Sequence, residues 1–140
     1  MPVGERSGQS MAHRETEQKR VLVVDDDDWS VFSARRLLEG LGYRVETAAD
    51  GPAALGMVEG AARAFAFVLL DLRMPGMDGV QVVRRLRAGG SDVRVILCTG
   101  YPRSQVDPSV FSLGRVLFLQ KPFGVDDLRE QIASLRDVMI

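Results

Sequence analysis

The sequence predicts a doubly wound α/β domain, a five-stranded parallel sheet with helices on both faces. Short, continuous apolar runs mark strands that are covered on both sides. Between them, from Arg20 onward, lie amphipathic helical patterns, and strands alternating with helices imply right-handed crossovers and a parallel sheet. The length of 140 residues suits one domain with a substantial core.

Residues 1–19 are polar and aperiodic and are expected to form a flexible N-terminal arm, with the folded domain at 20–140. Residues 21–24 are the first buried run. The first helix carries Val31, Ala34, Leu37, Leu38 and Leu41 on one stripe, with Gly40 and Gly42 able to end it. Residues 43–47 read as the second strand and 53–59 as the second helix, after Gly51-Pro52. A third run at 65–70 meets the turn Met74-Pro75-Gly76-Met77-Asp78-Gly79, and Val80, Val83 and Leu86 stripe the third helix. Strands are expected at 93–98 and 116–119. A last helix carries Val125, Leu128, Ile132, Leu135 and Met139 on one face.

The segment between the last two strands departs from this regularity. A helix across 103–111 would place Pro108 in its interior, where it removes a donor and clashes with the preceding turn. The local signals favour a short, late helix instead: Asp107 as N-cap, Pro108 at the first position and Gly114 just past the end, with 103–106 as loop.

Composition narrows the function classes. A net charge of −1 makes no electrostatic case for nucleic acid or an anionic membrane as a partner. No apolar stretch approaches a membrane span, and the N-terminus lacks the apolar core of a signal peptide. A lone cysteine, Cys98, cannot form an internal disulfide, and a cytoplasmic protein is expected. The single histidine, His13, lies in the polar arm, which argues against histidine chemistry in the fold. Of 18 basic residues sixteen are Arg, so Lys121 stands out as the one lysine of the folded part, at a position suited to a compact ammonium.

In a parallel sheet the functional crevice lies at the carboxyl ends of the strands, where the strand order reverses. The first strand ends in Asp25-Asp26-Asp27-Asp28, the third in Asp71, the fourth in Thr99, and the fifth leads to Lys121. Each has an ordinary reading: Asp as helix cap, Asp71 as turn residue, Thr99 as a strand former, Lys121 as a loop charge. Helix capping accounts for Asp27 or Asp28. It leaves Asp25 and Asp26 unexplained, two like charges directly after a buried strand, and a divalent cation would resolve that conflict. An EF-hand loop starting at Asp25 fails, with Ser30 at its sixth position and Arg36 at its twelfth.

The phrases VLVVDDDD, LLDLRMPGMDG, Cys98-Thr99-Gly100 and Lys121-Pro122-Phe123 resemble the receiver domains of bacterial response regulators, over residues 20–140. The resemblance implies a flavodoxin-like (βα)5 receiver fold in a two-component phosphorelay, with the domain catalysing only its own phosphorylation and dephosphorylation. It implies that Asp71 is the phosphoacceptor, that Asp25, Asp26, Asp71 and the Arg73 carbonyl hold Mg²⁺, and that Thr99 and Lys121 bind phosphoryl oxygens. Phe118 matches the aromatic that reorients with Thr99, and a cis Lys121-Pro122 bond is implied. Arg73, Met74 and Tyr101 occupy positions that tune the lifetime of the acyl phosphate. The implied partners are a sensor histidine kinase or histidine phosphotransfer protein and a downstream protein.

The Gly100-Tyr101 pair and the phrase from Phe118 to Phe123 are similar to receivers of hybrid sensor kinases. A free-standing relative and an excised piece are both open readings, and no DNA-binding or catalytic output domain is expected within the sequence to Ile140. The competing class is a haloacid-dehalogenase-like phosphatase, with Asp25 as nucleophile and Asp27 as acid/base. That pattern wants Thr or Val where Trp29 stands and a later acidic strand end, whereas Asp126 and Asp127 begin a helix. A pseudo-receiver is disfavoured because every site member is present.

Overall fold

The computed structural model describes residues 19–61 and 64–137. The expected arm (up to residue 18) and Met139 of the last stripe lie outside the described residues. Five parallel strands, β1 (Arg20–Val24), β2 (Arg44–Ala48), β3 (Phe67–Asp71), β4 (Val95–Thr99) and β5 (Val116–Gln120), form one sheet in the order β2-β1-β3-β4-β5. The helices are α1 (Asp28–Gly40), α2 (Gly51–Glu59), α3 (Gly79–Ala88) and α4 (Val125–Ser134), the last continued by a 3-10 turn at Leu135–Asp137.

Alternation along the strands sends side chains to two cores. Leu22, Val68, Leu70 and Leu97 pack with Val82, Val83 and Leu86 of α3 on one face, beside Ala54 of α2. Val21, Phe67, Leu69 and Ile96 pack with Leu38 of α1 and Leu128 of α4 on the other. Both faces of every central strand are therefore dry, which is why those strands are apolar between their ends.

Local chemistry sets the helix ends. Asp27, Asp50 and Asp78 cap α1, α2 and α3 by accepting the amides of Ser30, Ala53 and Gln81 at 2.8–2.9 Å. Gln81 returns a bond to the Asp78 amide, closing a capping box. Gly42 takes a φ of +96° just beyond α1, a conformation that costs glycine nothing.

Several boundaries differ from the sequence expectation. β2, β3 and β4 sit one or two residues further along, because apolarity reports burial whereas ladder hydrogen bonds define a strand: Phe65 is buried yet precedes β3. Asp71 and Thr99 are consequently the last residues of their strands, paired with Cys98 and Gln120. The buried stripe of α3 is turned toward Val82 and Val83, leaving Val80 half-buried. α2 starts at Gly51, two residues early, since Asp50 caps it. Val125 is exposed, at the first turn of α4.

No α-helix joins β4 to β5. Arg103–Gln105 forms a single 3-10 turn, where loop was expected, and Pro108–Leu113 a 3-10 helix. The start and stop signals act as the sequence predicts: Asp107 accepts the Ser109 amide at 3.0 Å, and Gly114 ends the segment with φ +88°. The 3-10 geometry is the correction, and the short span with proline at its start explains it. Arginine side chains of α3 hold the segment. Arg84 reaches Asp107 at 3.3 Å and Ser109 at 2.7 Å, and Arg87 donates to the Gly114 carbonyl at 2.8 Å.

Candidate functional site

The strand order reverses between β1 and β3, since the chain leaves β1 for β2 on one side and returns to β3 on the other. Val24 and Leu70 are register partners, so Asp25 and Asp71 emerge side by side at that point. Carboxylate oxygens of Asp25, Asp26 and Asp71 all lie within 4.8 Å of one another. Lys121 bridges two of them, its Nζ 2.8 Å from Asp25 Oδ2 and 3.0 Å from Asp71 Oδ1.

Backbone contacts hold each group. The Asp25 amide donates to the Ala48 carbonyl at 3.1 Å, and Asp25 Oδ1 accepts the Asp27 amide at 2.9 Å. The Lys121 amide donates to the Thr99 carbonyl at 2.8 Å, and the Lys121–Pro122 peptide is cis. Thr99 is buried, and its Oγ1 accepts the Tyr101 amide at 3.2 Å. Met74 is buried, whereas Arg73 is exposed with its guanidinium 4.6 Å from the Tyr101 ring centroid. Phe118 lies opposite Leu97 and is half-buried against the core that includes Val106 and Val110.

Charge in this cluster is unbalanced. Three carboxylates face one ammonium, leaving two negative charges. Burial is the largest influence on Asp71 and raises its pKa; Lys121 opposes the shift, and Asp25 and Asp26 reinforce it. At Lys121 burial is again the largest single influence and works downward, but the bond to Asp25 and the pairing with Asp71 outweigh it and raise the pKa. The outcomes differ because Lys121 has two carboxylates to itself, whereas Asp71 shares that ammonium with Asp25 and is repelled by both Asp25 and Asp26. Cys98, beneath the site, is pushed up to about 12 by burial and stays a neutral thiol.

The donor set suits a hard divalent cation: carboxylate oxygens, two uncompensated charges, and an Asp26 carboxylate with no protein partner among the described residues. The Arg73 carbonyl likewise accepts no hydrogen bond among the described residues. Against the phosphatase alternative, Asp27 is exposed, caps α1 through the Ser30 amide and is not a member of the cluster of Asp25, Asp26 and Asp71. Asp127 is similarly used, accepting the Gly124 amide at 3.0 Å.

Sequence reasoning passed over two supports. Gly79 opens α3 directly against the site: a methyl there would stand 2.8 Å from the Asp71 carbonyl oxygen. Glycine next to an acidic turn residue was a visible signal, but its reason is tertiary. The second is a cavity of about 260 Å³ beside Lys121, walled by Trp29, Ser33, Cys98 and Phe123. Its lip carries the exposed Trp29, stacked on Phe32 at 5.5 Å.

The sequence profile described as "Response regulator receiver domain" matches residues 21–133. Among characterised proteins the chain is 41% identical over 118 residues to Response regulator MprA of Mycobacterium avium (strain 104), covering 83% of this chain and 50% of that one. It is 39% identical to the protein of the same name from Mycolicibacterium vanbaalenii, over 83% of this chain and 49% of that one. The chain thus spans about half the length of these relatives. That half-coverage leaves the expectation of no nucleic-acid partner without support. Among solved structures, the receiver domain of sensor histidine kinase PA1611 from Pseudomonas aeruginosa PAO1, described with magnesium in its active-site cleft, superposes with TM-score 0.73. It is 28% identical, over 84% of this chain and 96% of that one. The chemotaxis protein CheY4 of Vibrio cholerae superposes with TM-score 0.72 at 28% identity, over 84% and 98% of the two chains. No helix among the described residues is long and apolar enough to cross a membrane.

Proposed function

Because this chain belongs to the response regulator receiver domain family of two-component systems, we propose that it accepts a phosphoryl group from a phosphohistidine onto Asp71 and signals by a change of shape. The convergence of Asp25, Asp26 and Asp71 around Lys121 at the sheet's switch point carries this reading. In the transfer, an Asp71 oxygen forms a bond to phosphorus while the P–N bond to the donor imidazole breaks, its electron pair leaving on the ring. Phosphoryl transfer of this kind needs positioning and charge neutralisation more than proton movement, so a site without histidine among the described residues can perform it.

Each residue has a task in that scheme. Asp25, Asp26, Asp71 and the Arg73 carbonyl would hold Mg²⁺, which when bound neutralises phosphoryl oxygens. Lys121, already within 3.0 Å of Asp71, pairs with the new phosphate as a point charge. Thr99 gives up the Tyr101 amide and donates its hydroxyl to a phosphoryl oxygen, and Phe118 follows that movement into the neighbouring core. Arg73 and Tyr101, whose side chains meet at 4.6 Å, would regulate access of water to the phosphoryl group, with buried Met74 supporting the turn that follows Asp71. The phosphodonor is a sensor histidine kinase or histidine phosphotransfer protein in the cytoplasm. The domain is 20–140, and the face formed by the 3-10 segment, β5 and α4 transmits the signal to a protein partner.

The test is chemical. Incubation with acetyl phosphate and Mg²⁺, then borohydride trapping and peptide mapping, is expected to place the modification on Asp71 alone. Undiminished labelling of Asp71→Asn, or labelling on Asp25, overturns the assignment.

A further inference from the structure

At the opposite end of the sheet from Asp71, a cavity of about 200 Å³ opens between the ends of β3, β4 and β5. Its walls include Val58, Phe65 and Val93, and its charged members among the described residues are Arg94, Arg115 and Asp92. Both arginines are only half-exposed, and neither side chain has a hydrogen-bond or ion-pair partner among the described residues. The Arg94 Nε is fully buried without an acceptor. An N–H donor deprived of water and left unpaired is costly, so such a donor is normally matched by an acceptor.

Asp92 does not supply the match, lying on the same cavity without forming an ion pair to either arginine. Arg115 is held in place by a constrained turn. It takes φ +58°, directly after Gly114 at +88°, and Arg87 fastens that turn through the Gly114 and Arg115 carbonyls at 2.8 and 3.4 Å. A positive φ is uncommon for a residue with a side chain and persists where surrounding contacts impose it.

We infer that this cavity is a binding site for a small organic monocarboxylate, with its carboxylate between Arg94 and Arg115 and a short apolar stem against Val58, Phe65 and Val93. The charge of the lining favours an anion: among the described residues two guanidinium groups face the cavity against the single Asp92 carboxylate. Guanidinium geometry favours a planar carboxylate bound through two oxygens. The apolar walls favour an anion with a hydrocarbon part. The site shares no residue with the phosphoacceptor cluster, so its failure would leave that reading untouched.

The experiment is a titration of the Mg²⁺-free protein with potassium butyrate, acetate, phosphate and chloride at constant ionic strength, followed by the Nε–H resonances of Arg94 and Arg115. Saturable shifts are expected with butyrate, at about tenfold lower concentration than with acetate because two further methylenes are buried. Thr99 and Lys121 amides are expected to stay still. Arg94→Gln should weaken butyrate binding at least tenfold. Arg115→Gly should do the same while relieving the positive φ, so that loss of fold cannot mimic loss of binding. Non-saturating shifts, equal shifts with chloride, tighter binding of phosphate than butyrate, or unchanged binding in both variants overturns the proposal.

Discussion

Gly79→Ala tests how α3 positions the phosphoacceptor. The added methyl would lie 2.8 Å from the Asp71 carbonyl oxygen, 2.8 Å from Leu97 Cδ1 and 3.0 Å from Leu72 Cα. Two of those neighbours are backbone at the end of β3, already fixed by the Gly79 amide bonding the Leu72 carbonyl at 2.8 Å, so the strain cannot be relieved by a rotamer change. Overpacking of this kind costs about 1–3 kcal/mol. The better helix propensity of alanine returns at most about 1 kcal/mol, less at a first-turn position. The expected net loss is about 1–2 kcal/mol, a fall in Tm of roughly 4–8 °C for a domain of this size. Thermal and urea melts measure it. Gly56→Ala is the internal control: it lies in α2 with nothing within 4 Å of the new methyl and is expected to stabilise the protein by up to about 1 kcal/mol. A Gly79→Ala protein as stable as the parent would refute the close-packing argument. Slower labelling of Asp71 from acetyl phosphate is expected alongside the lower Tm.

Three further outcomes are expected. Mg²⁺ should raise the Tm of the wild type by mass action and hardly move that of Asp26→Ala, and Trp29 fluorescence should report the same binding; an unchanged Tm at saturating metal counts against the metal site. Asp107 has its pKa lowered, chiefly by the Ser109 amide, so its contribution is present above the ordinary carboxylate pKa and fades as pH falls through the lowered value. Amide exchange across 108–113, corrected for intrinsic rates, should therefore accelerate at acid pH in the wild type and be fast at every pH in Asp107→Ala. Tyr101→Ala removes the ring under the Arg73 guanidinium and should shorten the acyl-phosphate half-life several-fold; a longer half-life would show that the pair does not shield the phosphoryl group.

Much of this molecule was legible in order of residues alone. Apolar runs covered on both faces specify a parallel sheet, and its topology places every strand's carboxyl end on one rim. Asp25, Asp71, Thr99 and Lys121 were therefore identifiable as neighbours before any distance was known. Turn and cap chemistry is equally local: a short polar side chain binds amides two or three residues ahead, so Asp27 and Asp107 cap where the sequence analysis places them, and Asp50 and Asp78, not read there as caps, act by the same rule.

What only the tertiary structure decided is where groups distant in sequence share space. Strand ends slid by one or two residues because pairing with a neighbour, not apolarity, defines a strand. The segment between β4 and β5 is anchored from outside itself, by Arg84 and Arg87 reaching across from α3. Gly79 is required by the backbone of β3, and Lys121 divides its charge between Asp25 and Asp71, 96 and 50 residues away. Local order determines propensity and pattern; close packing and unscreened charge act through space, and those terms arise only once the chain has folded.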